Sequence, residues 1–254
     1  MEDNKVMTQF LQREQAADLA YIYYEGTSNL PAIVFLGGFC SDMMGSKASF
    51  LAQECEKRQQ SYLRFDYTGH GQSSGDFEQG CISDWAQDAR DVIDHCLKNM
   101  SFILIGSSMG GWISLLLARD KPANLKALIG IATAPDFTTW MERDMNDEQR
   151  ESLNTQGYFK LPSDYGEPYV ITKKLIDDGR QNILLNGSLD IQVPVRLLQG
   201  RQDQDVPWQV AETIKSNIQS DDVQIFCQEE GDHSLSSPED LDLLNRVVKE
   251  LSEL

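Results

Sequence analysis

Phe102-Ile103-Leu104-Ile105-Gly106-Ser107-Ser108-Met109-Gly110-Gly111-Trp112 is the stretch from which the rest of the chain is read. Its first four residues are apolar without interruption, as in a strand buried on both faces. Residues 109–118 (MGGWISLLLA) predict a helix. Between them lies Gly106-x-Ser108-x-Gly110. Glycines two places either side of a serine suit a sharp strand-to-helix turn, where a Cβ at either flank would meet neighbouring backbone. Such a turn lifts the serine hydroxyl out of the sheet and aims the helix N-terminus at whatever the serine attacks. The plain alternative is a tight small-residue turn that does no chemistry.

Working outward, short apolar runs alternate with helical spacings. Residues 8–12 and 19–24 predict an edge strand pair with 15–18 as its turn. Residues 32–36 (AIVFL) predict a central strand that ends on Gly37-Gly38-Phe39. Residues 48–59 predict a helix, 61–65 a strand, and 66–75 (DYTGHGQSSG) a glycine-rich loop. Ser83 is the expected N-cap of a helix burying Trp85, Ala89, Val92, Ile93 and Leu97. Residues 125–132, 195–199 and 223–227 predict further strands, and 208–217 and 238–251 further helices. Strand–helix alternation implies a parallel sheet covered by helices on both faces.

The alternation breaks between 133 and 190, where polar sequence carries Phe137, Trp140, Tyr158, Phe159, Tyr165 and Tyr169. Residues 142–153 and 170–177 are its expected helices. We expect one domain over 1–254, carrying a helical lid insertion at about 134–190. There are no repeats and no low-complexity segments.

A chain of 254 residues can bury a substantial core without staples. Its net charge of −18 argues against nucleic-acid binding, since a phosphate backbone would be repelled. No apolar run approaches the roughly 20 residues of a membrane span. The five cysteines (Cys40, Cys55, Cys81, Cys96, Cys227) are scattered and contain no Cys-x-x-Cys pair, as for free thiols in a reducing compartment. The N-terminus lacks the features of a signal or transit peptide, so a cytoplasmic protein is expected.

A serine hydroxyl needs an adjacent base, and the base an orienting carboxylate. Of the three histidines, His70 lies in a Gly-His-Gly turn as a loop filler and His95 within a helix. His233, in Gly231-Asp232-His233-Ser234, follows the last predicted strand. Ser108 and His233 therefore share the carboxyl edge of the sheet, where ligands bind in open α/β folds. The loop after 195–199 offers Asp203 and Asp205 as acids; a helix-capping turn ahead of Trp208 is the plainer role and suits Asp205 better. The order Ser108, Asp203, His233 is a known serine–acid–histidine order. Backbone N–H groups of Met109 and Phe39 are the expected oxyanion donors, with Gly37 and Gly38 permitting close approach. Gly38, Trp112, Trp140, Phe159 and Trp208 are the expected substrate contacts. Cys40 beside that loop is expected to be a buried small hydrophobe, a reactive role being the alternative. No metal-ligand spacing, dinucleotide loop or Walker lysine is present, so no metal and no cofactor are expected.

With these residues in place the chain resembles the α/β-hydrolase superfamily along nearly its whole length. The landmarks are the glycines after the first central strand, residues 66–73, residues 106–112, Gly200-x-x-Asp203-x-x-Val206-Pro207, and Asp232-His233. More narrowly it resembles the branch of the mitochondrial palmitoyl-protein thioesterases, also known as acyl-glucuronide esterases. Arg64-Phe65-Asp66-Tyr67, Leu161-Pro162-Ser163, Arg196-Leu197-Leu198 and Val206-Pro207-Trp208 carry that likeness. The resemblance implies a mostly parallel sheet of about eight strands flanked by helices, with a helical lid. It implies Ser108 as nucleophile, Asp203 as acid and His233 as base. The implied reaction is hydrolysis of a small-molecule ester or acyl thioester, or of an acylated protein. Without a mitochondrial presequence the chain is expected to be a bacterial-type cytoplasmic relative. Two alternatives stay open: a ligand-binding or signalling protein on a hydrolase scaffold, and a C–C bond hydrolase or perhydrolase. The lid sets the substrate, so substrate does not follow from fold.

Overall fold

The computed structural model describes residues 7–162 and 168–254. Ser163, Tyr165 and the first six residues, all drawn on above, lie outside the described residues. In chain order the elements open with β1 (Gln9–Leu11), β2 (Leu19–Tyr24), β3 (Ala32–Leu36), α1 (Ser46–Lys57) and β4 (Tyr62–Phe65). A short 3-10 turn at Phe77–Gln79 precedes α2 (Ile82–Leu97), β5 (Phe102–Ser107), α3 (Met109–Arg119) and β6 (Leu125–Ile131). An insertion follows: α4 (Phe137–Asp144), α5 (Asp147–Thr155), β7 (Tyr158–Leu161), β8 (Tyr169–Thr172) and α6 (Lys173–Gln181). The chain closes with β9 (Val195–Gly200), α7 (Gln209–Asn217), β10 (Val223–Gln228) and α8 (Pro238–Ser252).

Eight strands form one sheet in the order β1-β2-β4-β3-β5-β6-β9-β10. β2 pairs antiparallel with both β1 and β4, and the remaining neighbours are parallel. β3 and β5 show why the continuous apolar runs are needed. In β3, Ala32, Val34 and Leu36 face one apolar layer, while Ile33 and Phe35 face the other. In β5, Phe102 and Leu104 face the first layer, and Ile103 and Ile105 the second. The first layer is filled from α2, α3 and α7, the second from α1 and α8. Period-two alternation thus serves two hydrophobic layers at once. Each fully buried Leu, Ile or Val contributes about 1.5–3 kcal/mol relative to exposure.

The insertion differs from expectation. It is not purely helical: β7 and β8 form an antiparallel pair, joining Tyr158 to Thr172 and Leu161 to Tyr169. Residues 170–172, expected in a helix, extend instead, and the helix starts only after Thr172, whose side chain caps it through the Leu175 N–H. The expected helix at 142–153 is two helices, because Asn146 stops one and caps the next with a capping box to Gln149. Ser83 is not an N-cap. Cys81 holds that place, and Ser83 inside α2 ties the helix to the end of α6 through Asp178 and Asn182. Among the described residues no helix is long and apolar enough to cross a membrane.

Candidate active site

β5 is the central strand, and its carboxyl end runs directly into Ser108. This residue has φ 53° and ψ −116° and stands as the N-cap of α3. A left-handed φ at a serine is strained and persists only where the surroundings impose it. Two glycines make room for it. A Cβ on Gly106 would lie 2.2 Å from the Gly110 carbonyl oxygen, and one on Gly110 2.2 Å from the Leu36 carbonyl oxygen. The turn is therefore pressed between β3 and α3 and admits no side chain at either flank. α3 directs the positive end of its dipole at the Ser108 hydroxyl.

β9 and β10 bring the other two side chains to the same edge. His233 Nε2 lies 3.1 Å from Ser108 Oγ. Its Nδ1 lies 2.9 Å from Asp203 Oδ2 and 3.1 Å from Oδ1. An ionised carboxylate only accepts, so Nδ1 carries the proton and Nε2 is left to accept from the serine hydroxyl. The Asp203 side chain is fully buried and that of His233 is 29% exposed, so the carboxylate is sealed while the imidazole is reachable.

Asp203 is held by more than the imidazole. Oδ1 accepts from the N–H groups of Asp205 and Val206, and Oδ2 from Gln199 Nε2. Gln199 also bonds the Val206 carbonyl, tying the strand end to the loop. Sequence reading missed Gln199; its only signal is a polar residue closing an otherwise apolar strand. Asp205 contributes its backbone N–H and keeps its side chain exposed. It does not cap α7 either, because Trp208 holds the N-cap position with no side-chain bond. Donor atoms of Asp203, Asp205 and His233 lie within 4.8 Å of one another, a spacing that could hold a cation. The four donors on Asp203 already use both its oxygens, which suits an acid that orients a histidine better than a metal ligand.

Met109 is the first residue of α3, where an N–H has no intrahelical acceptor. Among the described residues neither its N–H nor that of Phe39 donates to a protein acceptor. Gly38 backs onto the serine, a Cβ there reaching 3.5 Å from Ser108 Cβ. The Phe39 ring is in edge contact with Phe77, Trp85, Phe137 and Tyr169, at centroid distances of 5.0–6.0 Å. Cys40 is exposed, at φ 55°, and so is not the buried small hydrophobe expected.

Two of the expected substrate contacts are buried. Trp112 is fully buried under the insertion, its indole N–H donating to the Asn182 carbonyl and its ring edge-on to Phe137. Phe159 is buried in the packing of β7. Neither offers surface to a ligand. Trp140 and Trp208 are half-buried, Trp208 lying under the Arg201 guanidinium at 4.0 Å. His70 is no loose loop filler. It is buried among Tyr67, Phe77 and Trp85, with Nδ1 near the Thr68 carbonyl, and burial holds its pKa down. His95 on α2 meets the Tyr21 hydroxyl, far from Ser108 in the fold order.

Residues 28–154 match the family model described as serine aminopeptidase, S33. Palmitoyl-protein thioesterase ABHD10, mitochondrial, from Bos taurus is 32% identical over 250 residues, 98% of this chain and 81% of that protein. The chain belongs to the α/β-hydrolase family of serine hydrolases. Solved α/β-hydrolase structures agree. The mouse alpha/beta hydrolase domain-containing protein 10 superposes with a TM-score of 0.89 at 32% identity, covering 97% of this chain and 98% of that one. A crystal structure from Agrobacterium vitis S4 gives 0.92 at 36% identity, with the same coverages.

Proposed function

We propose that this α/β-hydrolase cleaves carboxylic esters or acyl thioesters through an acyl-enzyme on Ser108. The observation that carries the reading is the hydrogen-bonded line from Asp203 through His233 to Ser108. His233 Nε2 takes the Ser108 proton as Oγ attacks the acyl carbonyl. Asp203 holds the imidazole in that tautomer and stabilises the imidazolium. The free N–H groups of Met109 and Phe39 receive the oxyanion, and one such donor is typically worth about 2.7–4 kcal/mol in the transition state. The imidazolium then protonates the departing alcohol or thiol. His233 next activates water against the acyl-enzyme, and the acid leaves.

The insertion between β6 and β9 serves as the lid of a single hydrolase domain, with Gly38, Phe39 and the half-buried Trp140 and Trp208 nearest the substrate. Likeness to proteins named palmitoyl-protein thioesterases supports acyl thioesters within the substrate range. Five free thiols suit a reducing compartment such as the cytoplasm. A panel of p-nitrophenyl esters, acyl thioesters and acyl glucuronides tests the reading, together with a fluorophosphonate label. Turnover with labelling of Ser108 is expected. A protein that binds ligands but neither labels nor turns over any of the three classes overturns it.

A further inference from the structure

The geometry points to Lys47 as a positioning residue that holds the His233 loop to the segment carrying the oxyanion donor. This inference rests on the hydrolase reading above. Lys47 stands in the first turn of α1, directly after the loop that runs from Gly37. Its ammonium donates to the Ser234 carbonyl and lies 3.4 Å from Ser236 Oγ. These two groups flank Leu235, which is buried at φ 44°. A non-glycine residue in that region costs roughly 1–2 kcal/mol. The turn immediately after His233 is therefore strained, and one cation grips it on both sides.

Leu235 itself packs into the apolar layer of α1 and α8, and the other hydrogen bonds at the turn are local. The Leu235 N–H donates to Asp232 Oδ1, and Ser236 Oγ donates to the same Ser234 carbonyl that Lys47 uses. Both bonds lie within the loop, so they shape it without fixing it to anything. Further along, Asp240 and Ser237 close the capping box of α8. Among the described residues, Lys47 provides the side-chain hydrogen bonds that reach from the loop across to α1. The ammonium is partly sheltered, and burial lowers its pKa despite the carboxylates of Asp232 and Asp240. Burying a cation is costly unless it is paired, which sets this lysine apart from a solvated surface charge.

The consequence is geometric. His233 must keep Nε2 at hydrogen-bond distance from Ser108 Oγ in acylation and again in deacylation, when it faces water instead. A relaxed 234–236 turn moves the imidazole and slows both steps alike. Ground-state binding of the acyl group, set elsewhere, is untouched. α1 and α8 do not need Lys47 to pack: Ala48, Leu51 and Cys55 meet Leu243, Leu244, Val247 and Val248 in one apolar layer. Arg58 and Asn245 link the same two helices.

The test compares wild type, Lys47→Met and Lys47→Arg on p-nitrophenyl butyrate, with thermal unfolding alongside. For Lys47→Met we expect kcat to fall on the order of 10–100-fold, as for an ångström-scale misplacement of a catalytic group, with KM within about twofold. Lys47→Arg, which keeps a donor cation, should recover part of the loss. Should Lys47→Met not fold, Ser236→Ala carries the test and is expected to lower kcat by about threefold with KM unchanged. A folded Lys47→Met with wild-type kcat and only a lower Tm overturns the inference, leaving a structural tie. Equal kcat for Met and Arg variants, both reduced, overturns it as well. Wild type that neither turns over nor labels at Ser108 overturns the hydrolase reading instead, so the two failures are distinct.

Discussion

Ser108 Oγ and His233 Nε2 stand 3.1 Å apart although 125 positions separate the two residues in the chain. The contact exists because β5 and β10, three strands apart across β6 and β9, end at the same edge. The serine reaches the edge only by adopting φ 53°, and the histidine only by leading into a turn with Leu235 at φ 44°. Strain on both sides of one hydrogen bond is the pattern of a site whose geometry is imposed by the fold.

Removing the hydroxyl tests that contact most directly. Ser108→Ala should cut kcat on p-nitrophenyl butyrate on the order of 10⁴-fold or more. Thermal stability should change little, because the alanine keeps the same backbone turn. An alanine variant as active as wild type would sink the nucleophile assignment.

The acid is tested by a pair of substitutions. Asp203→Asn leaves the shape and can keep its amide oxygen on the Asp205 and Val206 N–H groups, but its NH2 then faces Gln199 Nε2 and His233 Nδ1, both donors that need an acceptor. Its kcat should fall on the order of 10⁴-fold, as expected when the tautomer is wrong. Asp205→Asn, on an exposed side chain, should stay within about threefold of wild type. The reverse ranking, with Asp205 the sensitive position, would reassign the acid.

How much of this was readable in advance depends on the kind of signal. The unbroken apolar run 102–105 announced a strand covered on both faces, and β5 is that strand. Gly106 and Gly110 were legible because their crowding is local, set by residues of the same turn and its neighbour strand. Histidines being few, His233 could be singled out, and it does lie beside Ser108 and Asp203. The insertion was not legible in this way. Its helices are short and polar, so no period is long enough to separate 142–153 into two, or to turn 170–172 into a strand that exists only through pairing with β7. The burial of Trp112 was not legible for a related reason: it meets Asn182 and Phe137, 70 and 25 positions away. Leu235 and Lys47 carry no pattern, since the conformation of one and the reach of the other depend on the assembled edge.

Asp136 makes a pH prediction. It stands at φ 60° between β6 and α4, and its two carboxylate oxygens accept from the Leu184 and Leu185 N–H groups, each at 2.9 Å. One side chain thus clips the start of the insertion to its return. Burial raises its pKa above the ordinary carboxylate value, outweighing the two backbone bonds that lower it. A raised pKa means the folded state binds this proton more tightly than the unfolded state. The contribution is therefore full below the unfolded value and is lost as pH rises through the folded one. Asp136→Asn has no such titration. The stability of wild type relative to Asp136→Asn should fall as pH climbs from about 4 and level off above the raised value. Urea unfolding of both proteins between pH 4 and pH 7 measures it, and a difference that grows with pH contradicts the account.

Phe39 gives the last prediction, because its ring and its backbone do separate things. The N–H is proposed to hold the oxyanion, while the ring joins Phe77 and Trp85 of the main body to Phe137 and Tyr169 of the insertion. Phe39, Phe77 and Tyr169 are each only partly buried, so together they present apolar surface next to Gly38, which backs onto Ser108. If an acyl chain lies along that surface, each added methylene gains about 0.8 kcal/mol, close to fourfold in kcat/KM, until the surface is covered. A p-nitrophenyl series from acetate to octanoate should rise accordingly in wild type. In Phe39→Ala the slope per methylene should flatten, because the ring that links the two sides is gone, whereas a general loss of oxyanion stabilisation would lower every ester by the same factor. A uniform drop, with the slope intact, would mean that the aromatics only pack the insertion against the sheet and that the acyl group lies elsewhere.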